Sequence, residues 1–368
     1  MKLLYVITGL GIGGAETQLL AVAQQMASKH DVHICCLTGE HKASVGRTGL
    51  VIDSLDIKKT PLSLLIGFSR LRAMIVRLKP DVVHSHMVHA NILSRLVRLT
   101  TRMPRLICSA HNTNEGGWLR MFAYRVTDRL ASLTTNVSKE AVLSFEEKGA
   151  VRKGKMVVVS NGIDTLKFKP DHVSRASIRL GAGVKPMERI ILSVGRLVPA
   201  KDYPNLITAF ASLSNCDENL KLWVVGEGSD ELSLRQMVAN VKLSDRVSFL
   251  GARENIAGLY NAADLFVLSS AWEGFGLVVA EAMATERVVV ATDSGGVQEV
   301  LGGQGFLVPP RDSNRLAQAM HQALNLTAEQ STLIGQHARA RVIKHFSLDQ
   351  AVRHWQQIYD GHECGGNV

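Results

Sequence analysis

The sequence predicts an α/β protein made of two Rossmann-like, doubly wound domains. Its 368 residues are more than one ordinary core accommodates and suit two domains of typical size. Short apolar runs alternate with amphipathic stretches along the chain, which is typical of parallel strands joined by helices. A polar segment that ends at Pro170 interrupts the alternation. The pattern then begins again, which indicates a second sheet.

In the first half, buried parallel strands are predicted wherever an apolar run has strand length. These runs are Leu3–Thr8, Val32–Leu37, Val82–His86, Leu106–Ala110, Leu133–Val137 and Met156–Ser160. Ala15–Lys29 and Leu62–Leu78 are predicted helices between them. The first run resembles the start of a signal peptide, but it reaches Gly9 within one strand length and has no small-residue cleavage site. We therefore interpret it as the first strand of an intracellular protein.

The second half repeats this organisation. Its predicted strands are Ile190–Val194, Lys221–Val225, Val247–Leu250, Leu265–Leu268 and Val288–Ala291. The predicted domains span residues 1–168 and 169–349, and a last helix at about 350–368, with Trp355 and Tyr359, is predicted to pack back onto the first domain. Ligands of doubly wound sheets bind at the carboxyl ends of the strands, so we expect the site in a central cleft that the two domains face.

Positive charge is concentrated in the first part of the chain. Residues 1–170 hold 24 Lys and Arg against 12 Asp and Glu, and the remainder holds 18 against 21. A basic half suggests nucleic acid or anionic lipid as a partner, unless it is simply a solvated face. The low aromatic content argues against nucleic acid, because no stacking platform is evident. The five scattered cysteines include no CxxC pair and predict neither a disulfide framework nor a zinc site.

A glycine-rich loop follows the first predicted strand. Gly9, Gly11 and Gly14 match G-x-G-x-x-G between a strand and a helix, where backbone N–H groups can approach a phosphate. The pattern alone is weak, and a tight turn is the alternative interpretation. A nicotinamide site also requires an acidic residue at the end of the second strand, but that strand ends at Thr38-Gly39. An oxidoreductase is therefore disfavoured.

Two groups of residues in the second half suit a phosphorylated ligand. Arg196 and Lys201 follow a predicted strand, and fixed cations there can neutralise a diphosphate. Glu273 lies in a glycine-rich loop before a helix predicted to start near Gly276, whose N–H groups can also bind an anion. Glu281, inside that helix, can accept hydrogen bonds from hydroxyl groups. Taken separately, each group also has an ordinary structural explanation.

Together, these motifs resemble the GT-B retaining glycosyltransferases of glycosyltransferase family four over nearly the whole chain. Each motif is common alone, but their order and spacing are specific. In the first half and the junction they are Gly13–Glu16, Asp81–His86, Ser109–Asn112, Asn136–Ser138 and Val159–Asp164 with Phe168 and Pro170. In the second half they are Gly195–Leu197 with Lys201, Val225–Gly228, Asp245–Val247, Phe249–Gly251, Ala263–Leu265, Glu273 with Glu281, and Gly295–Glu299.

The resemblance implies a role for each matching residue. Arg196 and Lys201 would hold the donor diphosphate, Glu281 the ribose hydroxyls, and His111 would lie beside the sugar at the reaction centre. The remaining implied donor contacts are Gly14 and the backbone at Arg253, with Glu273, Gly274, Phe275, Gly276 and Leu277 at the sugar and distal phosphate. His111, Glu273, Arg196 and Lys201 form the expected catalytic set. Thr285-Glu286-Arg287 departs from the family, which usually has a Gly and a Pro there.

The expected reaction needs no metal and no other cofactor. The sequence contains no Asp-x-Asp triplet, so Arg196, Lys201 and helix N-terminal amides would stabilise the leaving diphosphate. The histidines His84, His86 and His89 are interpreted as packing or acceptor contacts. The family implies retention of anomeric configuration, and a front-face reaction is favoured because no carboxylate is convincingly placed as a nucleophile.

The donor, the acceptor and the activity each leave alternatives open. A UDP-hexose or UDP-N-acetylhexosamine is the favoured donor, with GDP-mannose next. The expected acceptor is a lipid-linked saccharide of surface polysaccharide assembly, such as O-antigen or capsule. An epimerase or phosphorylase of related fold acts on similar donors, and turnover with and without an acceptor would separate a transferase from an epimerase.

A membrane-facing surface is predicted in the first domain. No apolar run is long enough to cross a bilayer. Because the first half is basic and the expected acceptor is lipid-linked, we expect a cytoplasmic protein that is peripheral at the inner face of the cytoplasmic membrane. Basic residues at helical spacing would share one face toward anionic lipid: Arg95, Arg98, Arg102 and Arg105. Trp118 and its apolar neighbours would add the large side chains that an interface requires. A soluble basic face is the alternative.

Overall fold

A computed structural model describes residues 1–11, 13–39, 49–58, 60–113 and 115–362. The chain forms two compact units. Unit 1 comprises Met1–Gly162 and the segment that begins at Leu348, and unit 2 comprises Ile163–Ser347. The predicted boundary at residue 168 is therefore slightly late. Residues 163–168 belong to unit 2 because the Ile163 N–H donates to the Phe346 carbonyl and the Phe168 ring packs edge-on against Tyr260.

Unit 1 is a parallel sheet in the order β3-β2-β1-β4-β5-β6-β7. Its strands are β1 Lys2–Ile7, β2 Asp31–Cys36, β3 Val51–Ser54, β4 Val82–His86, β5 Arg105–Ser109, β6 Leu133–Asn136 and β7 Met156–Val158. Its helices are α1 Gly14–Met26, α2 Pro61–Leu78, α3 Val88–Arg98, α4 Trp118–Thr127 and α5 Lys139–Glu147, with α14 Leu348–Tyr359 from the end of the chain. The central strands are buried on both faces, which explains their nearly continuous apolar sequences.

Helix α14 completes the core of unit 1. Its buried residues Trp355, Ile358 and Tyr359 pack with Leu3 and the inner face of α1 in one apolar cluster. The spacing of these three residues places them on one side of the helix. Cys35, Cys36 and Cys108 are buried free thiols. Cys364 lies outside the described residues.

Unit 2 is a parallel sheet in the order β10-β9-β8-β11-β12-β13. Its strands are β8 Arg189–Val194, β9 Leu220–Val225, β10 Val247–Phe249, β11 Leu265–Leu268, β12 Val289–Thr292 and β13 Phe306–Val308. Its helices are α6 His172–Gly181, α7 Tyr203–Ser214, α8 Glu231–Asn240, α9 Ile256–Ala262, α10 Leu277–Ala284, α11 Val297–Leu301, α12 Ser313–Leu324 and α13 Ala328–Phe346. Helices α7 and α12 cover one face over a large apolar cluster.

The predicted fold class, two Rossmann-like doubly wound domains, is confirmed. Every predicted strand is present to within about two residues, whereas β3 and β13 were not predicted. In both sheets the strand order reverses once, between β1 and β4 and between β8 and β11. Ligands of open parallel sheets bind beyond the carboxyl ends of the strands at this reversal. The loops that follow β1, β4, β8 and β11 are therefore where a site is expected.

Candidate active site

The loop after β8 carries the two predicted cations. Arg196 is exposed, and its guanidinium makes no hydrogen bond or ion pair within the part of the chain described. Lys201 ends a short 3-10 turn, Pro199–Lys201, and its ammonium is ion-paired with the carboxylate of Glu273. The Lys201 side chain is 17% exposed and that of Glu273 is 12% exposed. The structure thus joins two predicted residues that lie far apart in sequence.

Glu273 is fixed by its neighbours as well as by Lys201. The hydroxyl of Ser270 donates to the same carboxylate oxygen at 2.6 Å. The backbone of Gly295 lies against Glu273 so closely that a Cβ at that position would clash with the Glu273 carbonyl oxygen. The Gly296 N–H also donates to the Gly274 carbonyl at 3.3 Å. The first of these contacts explains why glycine is required at position 295.

Helix α10 begins directly after this loop. Gly276 precedes it with φ at 88°, a left-handed conformation that glycine adopts without strain. The N–H groups of Leu277 and Val278 in its first turn have no acceptor among the described residues. Unpaired N–H groups and the helix dipole together attract an anion. The residues around Glu273 therefore combine a cation, a carboxylate and two available amide donors.

Glu281 lies farther along α10 and is not part of the Lys201 contact. Its Oε2 accepts a hydrogen bond from the Tyr260 hydroxyl at 2.8 Å. Burial raises the pKa of Glu281 to about 7, although the Tyr260 hydrogen bond and the positive charge of Lys167 lower it. The carboxyl is therefore half ionised near neutral pH. Its second oxygen is available for a ligand hydroxyl.

Arg253 lies apart from these contacts. It is exposed in the turn after β10, next to Ala252, whose N–H donates to Glu227 at 3.4 Å. Within the described chain no hydrogen bond or ion pair connects Arg253 or Arg196 to Lys201, Glu273 or Glu281. Tyr260 and Ser270 were not predicted, although each holds a predicted glutamate. Neither belongs to a motif that would have drawn attention to it.

Unit 1 supplies the other predicted residues. Gly14 is exposed and is the first residue of α1, after Gly13 at the N-cap. Its backbone is therefore accessible at a helix N-terminus, as the phosphate-loop prediction requires. One turn later, the Gln18 amide exchanges two hydrogen bonds with the backbone of Gly162. This contact fixes α1 to the point where the chain leaves unit 1.

Three histidines form a buried group at the carboxyl ends of β4 and β5. His84 is hydrogen-bonded to the Tyr359 hydroxyl and to Ser109, each at 2.7 Å. The Nδ1 atom of His86 lies 3.0 Å from Nε2 of His111. Burial lowers the pKa of all three, to about 4 for His111, so the rings are neutral at pH 7. Packing or acceptor contacts were the predicted roles of His84 and His86.

Glu115 is a buried carboxyl that sequence reasoning missed. It lies in the loop between β5 and α4, accepts a hydrogen bond from the backbone N–H of His111, and its Oε1 has no partner among the described residues. Burial raises its pKa to about 7, despite that hydrogen bond and the nearby Arg120. An acid inside the polar run after His111 was the available signal.

The predicted arginine stripe is wrong. Helix α3 ends at Arg98, so Arg102 lies in an exposed connection and Arg105 opens β5. Arg95 is fully buried. Its guanidinium donates to the Tyr124 carbonyl and to two threonine hydroxyls, and it lies 3.6 Å from Asp128. Arg98 donates to the Leu130 carbonyl. These contacts hold α3 to the α4–β6 connection, and Arg95 cannot reach lipid.

Helix α4 does expose a large apolar face. Trp118 is 75% exposed, and Leu119, Phe122 and Val126 are each more than half exposed. Their spacing places them on one side of the helix, opposite the buried Met121 and Tyr124. Arg125 and Arg129 are exposed beside them. Among the helices described, none combines the length and apolar character needed to cross a membrane.

Two family models match successive parts of the chain. Residues 175–341 match the model described as glycosyl transferases group 1. Residues 12–167 match the model described as Glycosyltransferase Family 4. The first match contains the Lys201–Glu273 pair and Glu281, and the second contains Gly14, the three histidines and α4.

Similar proteins and structures span most of the chain. The lipopolysaccharide core biosynthesis mannosyltransferase LpsB of Rhizobium meliloti is 28% identical over 287 residues, covering 74% of this chain and 76% of that protein. The UDP-Gal:alpha-D-GlcNAc-diphosphoundecaprenol alpha-1,3-galactosyltransferase of Escherichia coli is 26% identical over 301 residues, covering 76% and 75%. The structure of Anabaena HepE in complex with UDP and glucose superposes with a TM-score of 0.89 at 24% identity, covering 98% of this chain and 100% of that one. This last likeness shows the shared fold.

Proposed function

The chain belongs to the group 1 glycosyltransferases of glycosyltransferase family 4, and from that premise we propose its donor, acceptor and mechanism. It transfers a hexose or N-acetylhexosamine from a UDP-sugar to a lipid-linked saccharide, with retention of anomeric configuration and without a metal. The acceptor belongs to the assembly of a surface polysaccharide, such as O-antigen or capsule. The observation that carries the donor site is the Lys201–Glu273 pair at the start of α10.

The donor diphosphate is assigned to unit 2. Breaking the glycosidic bond leaves negative charge on the diphosphate, and that charge must be stabilised. Among the described residues, Arg196 has no partner and the amides of Leu277 and Val278 have no acceptor, while the Lys201 ammonium is oriented by Glu273. Together these groups can supply the charge stabilisation that other glycosyltransferases take from a metal ion. Glu281 accepts the ribose hydroxyls in this arrangement.

The retaining mechanism proceeds on one face of the sugar. Glu273 is engaged by Lys201 and Ser270, so it is held to orient the sugar and the cation, not to form a covalent bond with the anomeric carbon. The leaving diphosphate then departs from the same face on which the acceptor hydroxyl attacks. By resemblance, His111 lies beside the sugar and the Gly14 backbone approaches the diphosphate.

The related proteins support a UDP-sugar donor and a lipid-linked acceptor. The Anabaena structure contains UDP and glucose, and the Escherichia coli relative uses UDP-Gal and a diphosphoundecaprenol-linked acceptor. LpsB is a mannosyltransferase, which keeps GDP-mannose as the second donor candidate. An undecaprenol acceptor resides in a membrane, so unit 1 requires a surface that meets lipid.

That surface is α4, in place of the arginine stripe. Trp118, Leu119, Phe122 and Val126 present apolar and aromatic side chains to solvent, and Arg125 and Arg129 flank them. Exposed aromatic residues beside cations suit the interface of an anionic bilayer. The protein is accordingly proposed to act as a peripheral protein at the inner face of the cytoplasmic membrane.

A thermal-shift panel of UDP, GDP and dTDP with their sugars tests the donor. A ligand at 100 times its dissociation constant stabilises the fold by about 2.7 kcal/mol. We expect the largest shift with a UDP-sugar, and a roughly ten- to hundredfold loss of affinity or turnover in Arg196→Ala and Lys201→Ala. Lys221→Ala is the matched control. That lysine also lies in unit 2, but it is paired with Glu188, which is not one of the proposed donor contacts. Near-normal affinity and turnover in both Arg196→Ala and Lys201→Ala would place the diphosphate elsewhere.

Vesicle co-sedimentation tests the membrane surface. The wild-type protein should bind anionic but not neutral vesicles, and high salt should reverse the binding because salt screens the cations. Trp118→Asp with Phe122→Asp should abolish it. Leu232→Asp is the control, since Leu232 is 82% exposed, more than Trp118 or Phe122, but lies in unit 2. Binding that survives the double substitution would exclude α4 as the contact.

A further inference from the structure

A stack of aromatic rings runs through the polar core of unit 1. The Trp355 and His84 ring centroids are 4.5 Å apart, and those of His84 and His86 are 4.0 Å apart. His111 follows, with its ring 5.3 Å from that of His86 and nearly parallel to it. His84 is held at both nitrogens, by Tyr359 and Ser109. The stack therefore presents His86 to His111 from a fixed support.

A hydrogen bond joins the rings of His86 and His111, and one nitrogen of each ring takes no part in it. Nδ1 of His86 contacts Nε2 of His111 at 3.0 Å. Nε2 of His86 and Nδ1 of His111 are buried and have no partner among the described residues. Both residues line a cavity of about 20 Å³, together with Gln18, Asn161 and Trp355. A space of this size admits one water molecule or one hydroxyl group.

The two rings share one proton in their contact. A neutral imidazole carries one N–H and one lone pair, and burial keeps the pKa of both rings below the usual histidine value. If His86 donates, Nδ1 of His111 carries hydrogen, and if His111 donates, that atom is a lone pair. The tautomers of His86 and His111 are therefore coupled. The other titratable groups facing the pair are His84, the Tyr5 ring and Glu115, which accepts from the His111 backbone.

We propose that His86 is a positioning residue that fixes the orientation and tautomer of His111, so that Nδ1 of His111 faces a single sugar hydroxyl. The inference rests on the proposed function, in which His111 lies beside the transferred sugar. It assigns the substrate contact to one atom, because Nε2 of His111 is already occupied by His86. It also assigns a role in the reaction to His86, the second histidine of the Asp81–His86 motif.

Two substitutions at His86 separate positioning from packing. His86→Asn keeps a polar atom near the position of Nδ1 and removes the ring, whereas His86→Leu fills the space and removes the hydrogen bond. If His86 positions His111, the Asn variant retains most activity and the Leu variant loses roughly ten- to a hundredfold in kcat. If His86 only packs, the Leu variant is the more active of the two, and the proposal is overturned.

Two further readouts keep the test independent of folding. Affinity for UDP, which lacks the sugar that His111 would contact, should be unchanged in both variants, and a melting temperature would show that each is folded. Nitrogen NMR of the His111 ring should show one tautomer in the wild type and in His86→Asn, and an averaged signal in His86→Leu. Identical His111 spectra in the wild type and His86→Leu would contradict the proposal.

The variant His111→Ala separates the positioning role of His86 from the proposed role of His111 at the reaction centre. Loss of transfer in His111→Ala with normal kinetics in His86→Leu would refute only the positioning role. Full activity in His111→Ala would remove His111 from the reaction centre, and the roles proposed for both histidines would fail together. Loss in His111→Ala and His86→Leu with recovery in His86→Asn is the result we expect.

Discussion

Replacing Glu281 by Gln should remove a pH dependence of nucleotide-sugar binding that the buried carboxyl imposes. Only the ionised carboxylate accepts hydrogen bonds through both oxygens, and one of them already accepts from Tyr260 at 2.8 Å. The ribose hydroxyls then require the other oxygen. Because burial raises the pKa of Glu281 to about 7, the required form is lost as pH falls below neutrality.

The expected size follows from that pKa. About nine-tenths of the Glu281 carboxyl groups are ionised at pH 8 and about one-tenth at pH 6. Affinity should therefore fall by about tenfold between pH 8 and pH 6, which corresponds to ~1.4 kcal/mol. Glu281→Gln should bind more weakly at pH 8 and with little change across this range. Tyr260→Phe should move the midpoint above pH 7, because the Tyr260 hydrogen bond lowers the pKa of Glu281.

Isothermal titration between pH 5.5 and 8.5 would measure the effect. The ligand should be the nucleotide sugar that gives the largest thermal shift, because a bare nucleoside diphosphate has a terminal phosphate that itself titrates near pH 6. Val278→Ala is a suitable control on the same helix, since its side chain carries no charge. Equal affinities at pH 6 and pH 8 in the wild type, or the same slope in Glu281→Gln, would refute the assignment of this carboxyl to the ribose.

Three further perturbations follow from the structure. Arg95→Ala should lower the free energy of unfolding by about 2–3 kcal/mol, because the Tyr124 carbonyl and two threonine hydroxyls lose a buried donor. A denaturant titration showing less than about 1 kcal/mol would contradict this. Glu286 has φ at 60°, a left-handed conformation that glycine adopts with less strain. Glu286→Gly should therefore raise stability by roughly 0.5–1 kcal/mol with unchanged activity, and a lower melting temperature would oppose this. Transfer should persist in excess EDTA, and activity restored only by added manganese or magnesium would show that the cations of Arg196 and Lys201 are insufficient.

Much of the fold was predictable because parallel strands leave a strong local signal. Buried runs such as Val82–His86 and Leu265–Leu268 match the observed strands, since a strand covered on both faces must be apolar throughout. The missed strands lack that signal. β3 is only four residues long and is largely half-exposed, and β13 has three residues. Their pairing depends on neighbours and not on their own sequences.

The motifs singled out Lys201 and Glu273, but the contact between them was not predictable. Spacing and resemblance located Glu273 and Lys201 separately, and only the meeting of the loops after β8 and β11 shows that they form an ion pair. Likewise, the β4–β5 register pairs His86 with Ser109, which brings His111 within reach of His86. Residues on different strands become neighbours through the sheet, and a single sequence does not contain that register.

The arginine stripe failed because helical spacing alone does not say which face of a helix is buried. Arg95 fits a solvated basic stripe as well as it fits a buried cation. Its partners decide between the two, and Thr134 and Asp128 come from a later part of the chain. Helix α3 ends at Arg98. In the sequence, only Pro104 indicates that the helix ends in this region, and a proline does not fix the residue at which it ends. Trp118, by contrast, is exposed as predicted.

The stereochemistry of the transferred sugar tests the central proposal most directly. The protein would be incubated with a UDP-sugar of α configuration and a diphosphate-linked lipid saccharide, and the anomeric configuration of the new linkage would be measured by NMR. Transfer with retention predicts a new α-linkage, formed at a much lower rate by Lys201→Ala than by Lys221→Ala. A β-linked product would contradict the one-face mechanism, and nucleotide-sugar turnover without any new glycoside would contradict transfer to this acceptor.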